Sequence, residues 1–236
     1  LGLSNNTVLS VFEDLDKNVW LGLDNGINLI NFKSPLKIFV NKKDFLGSIY
    51  TSTIYNGYLY LGTNQGLFYK KYNSKNEFSF IEKTQGQVWS LKIIDDTLFC
   101  GHDSGTFIVK NNKANLIFDI QGTWGVKKLK NNLIIQGNYD GLYVLQKEGD
   151  TWSLRNKIKG FKNSSRYFII LDNSEIFVNH EYKGVFKLKV DTSYSTVLKI
   201  KKDTSVKKGI HSSLLKHQNN VFYASKKGVY KYDFEK

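Results

Sequence analysis

A glycine placed six times at near-constant spacing constrains this chain more than any other feature. The segment VWLGLDNGINLINF, from Val19, recurs as LYLGTNQGLFYKKY from Leu59, LFCGHDSGTFIVKN from Leu98 and LIIQGNYDGLYVLQK from Leu133. Two looser copies follow, IFVNHEYKGVFKLKV from Ile176 and VFYASKKGVYKYDF from Val221. The shared glycines are Gly26, Gly66, Gly105, Gly141, Gly184 and Gly228, so a unit of about 40 residues repeats along the chain. Six such units fill the 236 residues, and the reading is one domain over 1–236.

Each copy predicts a β-hairpin, near 19–32, 59–72, 98–111, 133–147, 176–190 and 221–234. A short apolar strand leads into a polar turn ending in Gly, and a second alternating strand follows. DNG, NQG, DSG and YDG supply the backbone freedom such turns need. An apolar run precedes each hairpin: VLSVFED, YTSTIYN, VWSLKII, GVKKLKN, YFIILDN and SLLKHQN. A more irregular stretch follows it, as in FSFIEKT, NLIFDI and WSLRNKI. Four short antiparallel strands per repeat is one blade of a β-propeller. The apolar period is two, which rejects helices, and the repeat is too long for a β-solenoid. The predicted fold is therefore all-β, a propeller of about six four-stranded blades, either whole or a fragment of a larger ring. The chain opens on an inner strand and ends just after the sixth hairpin. The sixth blade is accordingly expected to lack its outer strand, with sequence outside this chain completing the ring.

Composition narrows the function classes. The formal net charge is +13, but Arg155 and Arg166 are the only arginines among 34 basic residues. Base readout and phosphate clamping rely on the planar guanidinium, so a lysine surface of this kind argues against nucleic acid as a partner. Cys100 is the only cysteine and the four histidines are scattered, which removes disulfide scaffolds and zinc sites. The opening LGLSNNTV does not form a signal peptide, and no apolar run approaches membrane-span length. Methionine is absent, from which we expect the chain to be cut from something longer.

The first repeat, LSNNTVLSVFEDLDKNVWLGLDNGINLINF from Leu3 to Phe32, resembles the two-component regulator propeller repeat. That family's pattern is LSNN, an apolar strand ending ED, a turn, W-x-G-T and NGL. Leu3, Ser4, Asn5, Asn6, Glu13, Asp14, Trp20, Gly22, Asn25 and Gly26 match it. Leu23 stands for the usual Thr and Ile27 for Leu. The second repeat keeps Gly62, Thr63 and Gly66 but lacks LSNN and ED, and the last two keep little beyond the final glycine. The resemblance implies the extracytoplasmic sensor region of a bacterial, Bacteroidetes-type hybrid two-component or helix-turn-helix regulator. It further implies a periplasmic location, a membrane-anchored parent and a homodimeric full-length sensor.

The residues carry little sign of catalysis. There is no phosphate-cradling loop, nucleophile elbow or paired-histidine metal spacing. Acids fall in the hairpin turns, at Asp24, Asp103, Asp140 and Glu181, where a pair at glycosidase separation would be the one enzymatic arrangement. Turn geometry alone calls for Asp and Asn at such places. His102 and His180 read as turn polarity, and Cys100 as a small core residue. No catalytic residue, metal or cofactor is expected.

The inner strands say more. Aligned on the hairpin glycines, one position reads Val8, Tyr50, Trp89, Trp124, Tyr167 and then His211 or Ser212. Four large aromatics in successive blades either form a partial ring at one mouth of the channel or wedge between blades. With Asn64, Gln65, Asp103, Asn138, Tyr139 and Arg166 nearby, the ring would suit a sugar or another amphipathic small ligand. The expectation is a ligand-sensing propeller for a small molecule or oligosaccharide. A protein-interaction propeller is the alternative, and a propeller glycosidase or lyase comes third.

Overall fold

A computed structural model describes residues 3–35, 46–130, 132–172, 174–206 and 209–233. Every regular element among them is a β-strand, and no helix is long and apolar enough to cross a membrane. The chain divides into two compact units, Leu1–Phe45 and Leu46–Lys236.

The first unit holds one antiparallel sheet in the order β1 (Val8–Glu13), β2 (Val19–Leu23), β3 (Ile27–Ile30). Its motif residues have local tasks. Asp14 accepts hydrogen bonds from the Trp20 indole Nε1 (2.9 Å), the Asn18 side chain (2.9 Å) and the backbone N–H groups of Asn18 and Asp16 (2.9 Å each). One carboxylate thus closes the β1–β2 turn, and the Trp20 bond foremost, with those from Asn18, holds its pKa down at about 2. Asn28 ties Ser4 to the sheet by two bonds, at 2.7 and 3.0 Å. The LSNN, ED and W positions are therefore the knots of a turn. Every residue of β1 is exposed, including Leu9, Val11 and Phe12.

The second unit is a succession of sheets, each formed from consecutive strands. The first three are β4 (Ile49–Tyr55), β5 (Tyr58–Thr63), β6 (Leu67–Lys71) and β7 (Ser79–Phe80); β8 (Val88–Ile94), β9 (Thr97–His102), β10 (Gly105–Lys110) and β11 (Lys113–Phe118); and β12 (Gly125–Lys130), β13 (Leu133–Asn138), β14 (Gly141–Glu148) and β15 (Thr151–Lys157). Next come β16 (Tyr167–Ile170), β17 (Glu175–His180), β18 (Gly184–Val190) and β19 (Val197–Lys202). A three-stranded sheet follows, β20 (Ser213–His217), β21 (Asn220–Ser225) and β22 (Gly228–Lys231). The outer strand expected to be missing from this sheet would follow β22, and 234–236 lie outside the described residues.

Sheets stack face to face, and strand alternation explains how. Leu98 and Cys100 of β9 pack with Tyr60, Leu67 and Val88 on one side. Phe99, between them, packs with Trp152, Ile134 and Tyr143 on the other. The next sheet repeats this: Ile134 faces back, while Leu133 and Ile135 face forward onto Phe168, Ile176 and Leu188. A fourth cluster joins Phe177 and Val185 to Leu214, Val221 and Tyr223. Strands β9, β13 and β17 are buried on both faces, so they read as near-continuous apolar runs.

The repeated glycines end the hairpin turns. Gly105 and Gly141 both have φ of +138°, a conformation that costs other residues strain. A Cβ on Gly141 would lie 2.6 Å from the Phe161 carbonyl oxygen, and one on Gly105 would collide with the Phe118 carbonyl. At these two turns the glycine lets a following backbone carbonyl lie close, while Gly184 and Gly228, in the repeats that have lost the rest of the motif, keep the positive φ, 93° and 135°.

Candidate functional site

Ladder register identifies the equivalent residues. Ile49 pairs Thr63 and Thr51 pairs Gly62, so Tyr50 is bulged out of the β4–β5 ladder. Val88 pairs His102 and Ser90 pairs Gly101, which bulges Trp89 in the same way. A bulge re-aims one side chain out of the alternating pattern. Trp124 precedes the Gly125–Gly137 pair and holds the same place in the third sheet of this unit.

Two assignments from the glycine alignment need correction. In the first unit Val8 pairs Leu23 and Ser10 pairs Gly22, so the equivalent residue is Leu9 rather than Val8. In the sheet of β16–β19, Tyr167 pairs Asn179, the counterpart of Gly137, so the equivalent residue is Arg166 rather than Tyr167. The cause is turn length. His180 pairs Gly184 across a three-residue turn, where His102 pairs Gly105 across two. In the last sheet Ser213 pairs Ala224, which makes Ser212 the equivalent residue and not the exposed His211.

These positions form a ladder of flat groups within the second unit. Tyr50 stacks on Trp89 with centroids 5.1 Å apart and planes 22° apart. Trp89 lies 4.8 Å from Trp124 at 45°. Tyr139 leans on Trp124 at 5.0 Å. The Arg166 guanidinium covers the Trp124 ring at 4.9 Å and the Tyr167 ring at 5.1 Å. Tyr50 is 46% exposed, Trp89, Trp124 and Tyr167 are half-buried, and Arg166 is exposed. The rings thus do not stand as separate open platforms around a mouth, and they are not sealed between sheets. They cover part of one another and leave edges and end faces to solvent.

Polar groups fix the ladder. The Trp89 indole N–H donates to the Tyr139 hydroxyl (3.1 Å), which donates to Asp103 Oδ1 (2.9 Å). Burial first, and then the bond to Asp103, push the Tyr139 hydroxyl up to about 12. The Trp124 indole N–H donates to Ser164 Oγ (2.9 Å).

Beneath lies a buried clasp. Gln136 accepts from the Thr106 hydroxyl (2.6 Å) and donates to Asn138 Oδ1 (2.7 Å) and Thr123 Oγ1 (3.1 Å). Asn138 donates to the Gln121 carbonyl (3.1 Å). These side chains are buried and partnered, so Asn138 supports Trp124 and Tyr139 rather than meeting a ligand. His102 is buried too. Its Nδ1 accepts from the Ser104 backbone N–H (2.9 Å), so Nε2 carries the proton and donates to the Thr84 carbonyl (3.2 Å). Burial lowers its pKa below the ordinary value. Asn64 accepts from the Ser48 backbone N–H (2.7 Å), which fastens the approach to β4. Gln65 and His211 are exposed, and among the described residues neither hydrogen-bonds to the ladder.

A cleft of about 260 Å³ opens beside Arg166, lined by Trp124, Tyr167, His180, Glu181 and Tyr182. Glu181 Oε1 is 4.0 Å from Arg166 Nη1. Ser164 and Tyr182 escape sequence reasoning because only the extra turn residue and the folded loop before β16 bring them here. Among the described residues, no three His, Cys, Asp or Glu side chains are placed to hold a metal.

No family model and no curated relative matches the chain. Solved structures do. The chain is similar to the extracellular domain of a putative hybrid two-component system from B. thetaiotaomicron, with 18% identity and a TM-score of 0.56. That alignment covers all of this chain and 35% of the other, so this chain spans about a third of its length. The WD40 β-propeller domain of Doa1 matches at 14% identity and TM-score 0.58, over 97% of this chain and 79% of that one. A computationally designed protein, Ika8, matches at 12% identity and TM-score 0.59, over 96% and 70%. Likeness at these identities speaks for the fold, and the fold of this chain is that of a β-propeller.

Proposed function

We propose that this chain is a ligand-recognising, extracytoplasmic propeller module of a bacterial signal-transduction or transcription regulator, with a glycan or similarly amphipathic small molecule as its ligand. The observation that carries the reading is the half-exposed ladder Tyr50–Trp89–Trp124–Arg166. Aromatic groups left partly wet in successive sheets add little to a core. They offer the flat apolar edges and polar fringe on which a pyranose ring rests. The first repeat's resemblance to the regulator propeller and the similarity to a two-component extracellular domain support the sensor role. The reading assigns recognition rather than catalysis. Ligand would act by population shift, favouring one arrangement of propeller and partner. A homodimeric parent belongs to the same reading.

Titrating the purified chain with a panel of oligosaccharides, by calorimetry and indole fluorescence, tests it. Trp89→Ala should weaken the best ligand by roughly 1–3 kcal/mol, about 5- to 150-fold. Unchanged affinity in that variant, or no binding across the panel, sinks the reading.

One observation favours a partner surface as well. Strand β22 is exposed throughout, with Val229 70% exposed, and among the described residues it pairs only with β21. An unpaired edge is a template for another chain's strand.

A further inference from the structure

We infer that the ligand is acidic, a saccharide bearing a carboxylate, and that Arg166 is its anion anchor. The inference rests on the ladder being a ligand site and adds the charge class of what it takes.

Arg166 occupies the place that Tyr50, Trp89 and Trp124 hold in the preceding sheets. A planar cation has been set into a row of planar rings. Its guanidinium carbon sits over the Trp124 and Tyr167 rings, which holds the group in place while leaving its N–H donors to other partners. Stacking of this kind holds an arginine without consuming its donors. Among the described residues the one carboxylate within ion-pair distance is that of Glu181, at 4.0 Å, the outer limit of an ion pair. The side chain is about half exposed, and among the described residues it makes no closer polar contact. Preorganised and largely unspent, the N–H edge matches the two oxygens of a carboxylate.

Residue choice strengthens the point. The chain draws its positive charge almost wholly from lysine, and the other arginine, Arg155, donates to the Ser193 carbonyl. The guanidinium at position 166 stands out against a strong lysine habit.

A second cluster agrees in sign. Lys92 and Lys127 lie three residues beyond Trp89 and Trp124 on the inner strands β8 and β12. Among the described residues neither has a carboxylate partner. Lys127 is exposed on β12 with its ammonium 5.5 Å from the Phe168 ring, and desolvation first, then the charge of Lys92, lower its pKa. Two unneutralised ammonium groups on neighbouring strands repel, and an anion relieves the repulsion. Of the acids at the site, Asp103 is engaged by Tyr139 and Glu181 faces Arg166. At about 260 Å³ the cleft is smaller than the ~300–1,000 Å³ of a drug-sized pocket. It would hold one sugar ring, with the rest of the ligand reaching along the ladder.

The test uses trigalacturonate, tri-mannuronate and cellotriouronate, each paired with its carboxyl-reduced neutral trisaccharide. Binding to the full chain is measured by calorimetry at low and high salt. The expected result is at least one acidic member bound tenfold or more tighter than its neutral partner, with a preference that shrinks as salt rises. Arg166→Gln and Arg166→Lys should both erase the preference while their melting temperatures stay near wild type; Arg155→Gln should keep it. If neutral members bind as well as acidic ones, and Trp89→Ala abolishes both, the acidic ligand is refuted while the ladder stands as a site. Binding of no member refutes this inference and the ligand-site reading together.

Discussion

Two tryptophans in different settings measure what the ladder does for stability. Trp152 is 3% exposed and meets Phe99 edge-on at 5.4 Å inside the core between two sheets. Replacing it with Ala removes a buried ring and leaves a cavity, a change that costs about 3–5 kcal/mol. Trp89 is half-buried. Its contacts are two ring pairs, with Tyr50 and Trp124, worth roughly 0.5–1.5 kcal/mol each. To these it adds one hydrogen bond to an exposed tyrosine, whose net value is at most about 1 kcal/mol. Solvent fills the space that a removed Trp89 leaves, so little cavity penalty applies. The expected cost of Trp89→Ala is therefore about 2 kcal/mol, half that of Trp152→Ala. At about 2–4 °C per kcal/mol for a chain this long, the melting temperature should fall by about 6 °C for Trp89→Ala and about 12 °C for Trp152→Ala. Calorimetry on the two variants and the wild type decides. A drop at Trp89 equal to or larger than that at Trp152 would mean that the ladder is a structural wedge, and the argument for a site would collapse.

Three further outcomes follow from the same structure. Gln136→Leu keeps the volume but strips Asn138 Oδ1 of its donor in a buried clasp; a loss of about 3 kcal/mol in denaturant unfolding is expected, and a loss below about 0.5 kcal/mol contradicts the clasp. Cys100 is fully buried and its thiol is pushed up to about 12 by burial alone, so a thiol reagent should label it only after denaturant is added; rapid labelling of native protein at pH 8 contradicts its placement. Tyr139 has its folded pKa raised to about 12 from the usual 10, so its contribution to stability is present in full below pH 10 and is lost as pH rises through 12. Asp103→Asn should lower its titration only part of the way, because burial leads the shift, and a Tyr139 that titrates near 10 in the wild type refutes its placement.

Much of the fold was legible because its signals are local. Each inner strand named from the sequence, from VLSVFED to SLLKHQN, became a strand, and the outer stretches FSFIEKT, NLIFDI and WSLRNKI supplied β7, β11 and β15. The continuous apolar run Leu98–Phe99–Cys100 announces a strand buried on both faces, whatever its neighbours. The site was less legible because it depends on register. Counting back from the hairpin glycine assumes one turn length and one bulge pattern. The turn Glu181–Tyr182–Lys183 carries an additional residue, and the first repeat's longer Asp14–Asn18 turn shifts Leu9. Such differences in turn length shift the count, and in a strand one residue changes which way a side chain points. Side-chain fate was equally hidden. Position groups Asn138 and Asn64 with the ligand residues, yet the clasp engages both ends of the Asn138 amide and the Asn64 side-chain oxygen accepts from Ser48. Nothing in the sequence shows that the two indole N–H groups are satisfied internally, because Tyr139 and Ser164 come from other repeats.

The central claim, that a ligand settles on the ladder, can be read directly from the four tryptophans, whose indole N–H groups resolve in a nitrogen-15 NMR spectrum of tryptophan-labelled protein. Trp89 and Trp124 lie in the ladder, Trp152 lies in a core and Trp20 lies in the turn knot of the first unit. Titration with the best-binding oligosaccharide should shift the Trp89 and Trp124 signals in proportion to occupancy and leave Trp152 and Trp20 in place. A saturating ligand that moves only Trp20 or Trp152, with Trp89 and Trp124 unmoved, would place the site elsewhere and contradict the account.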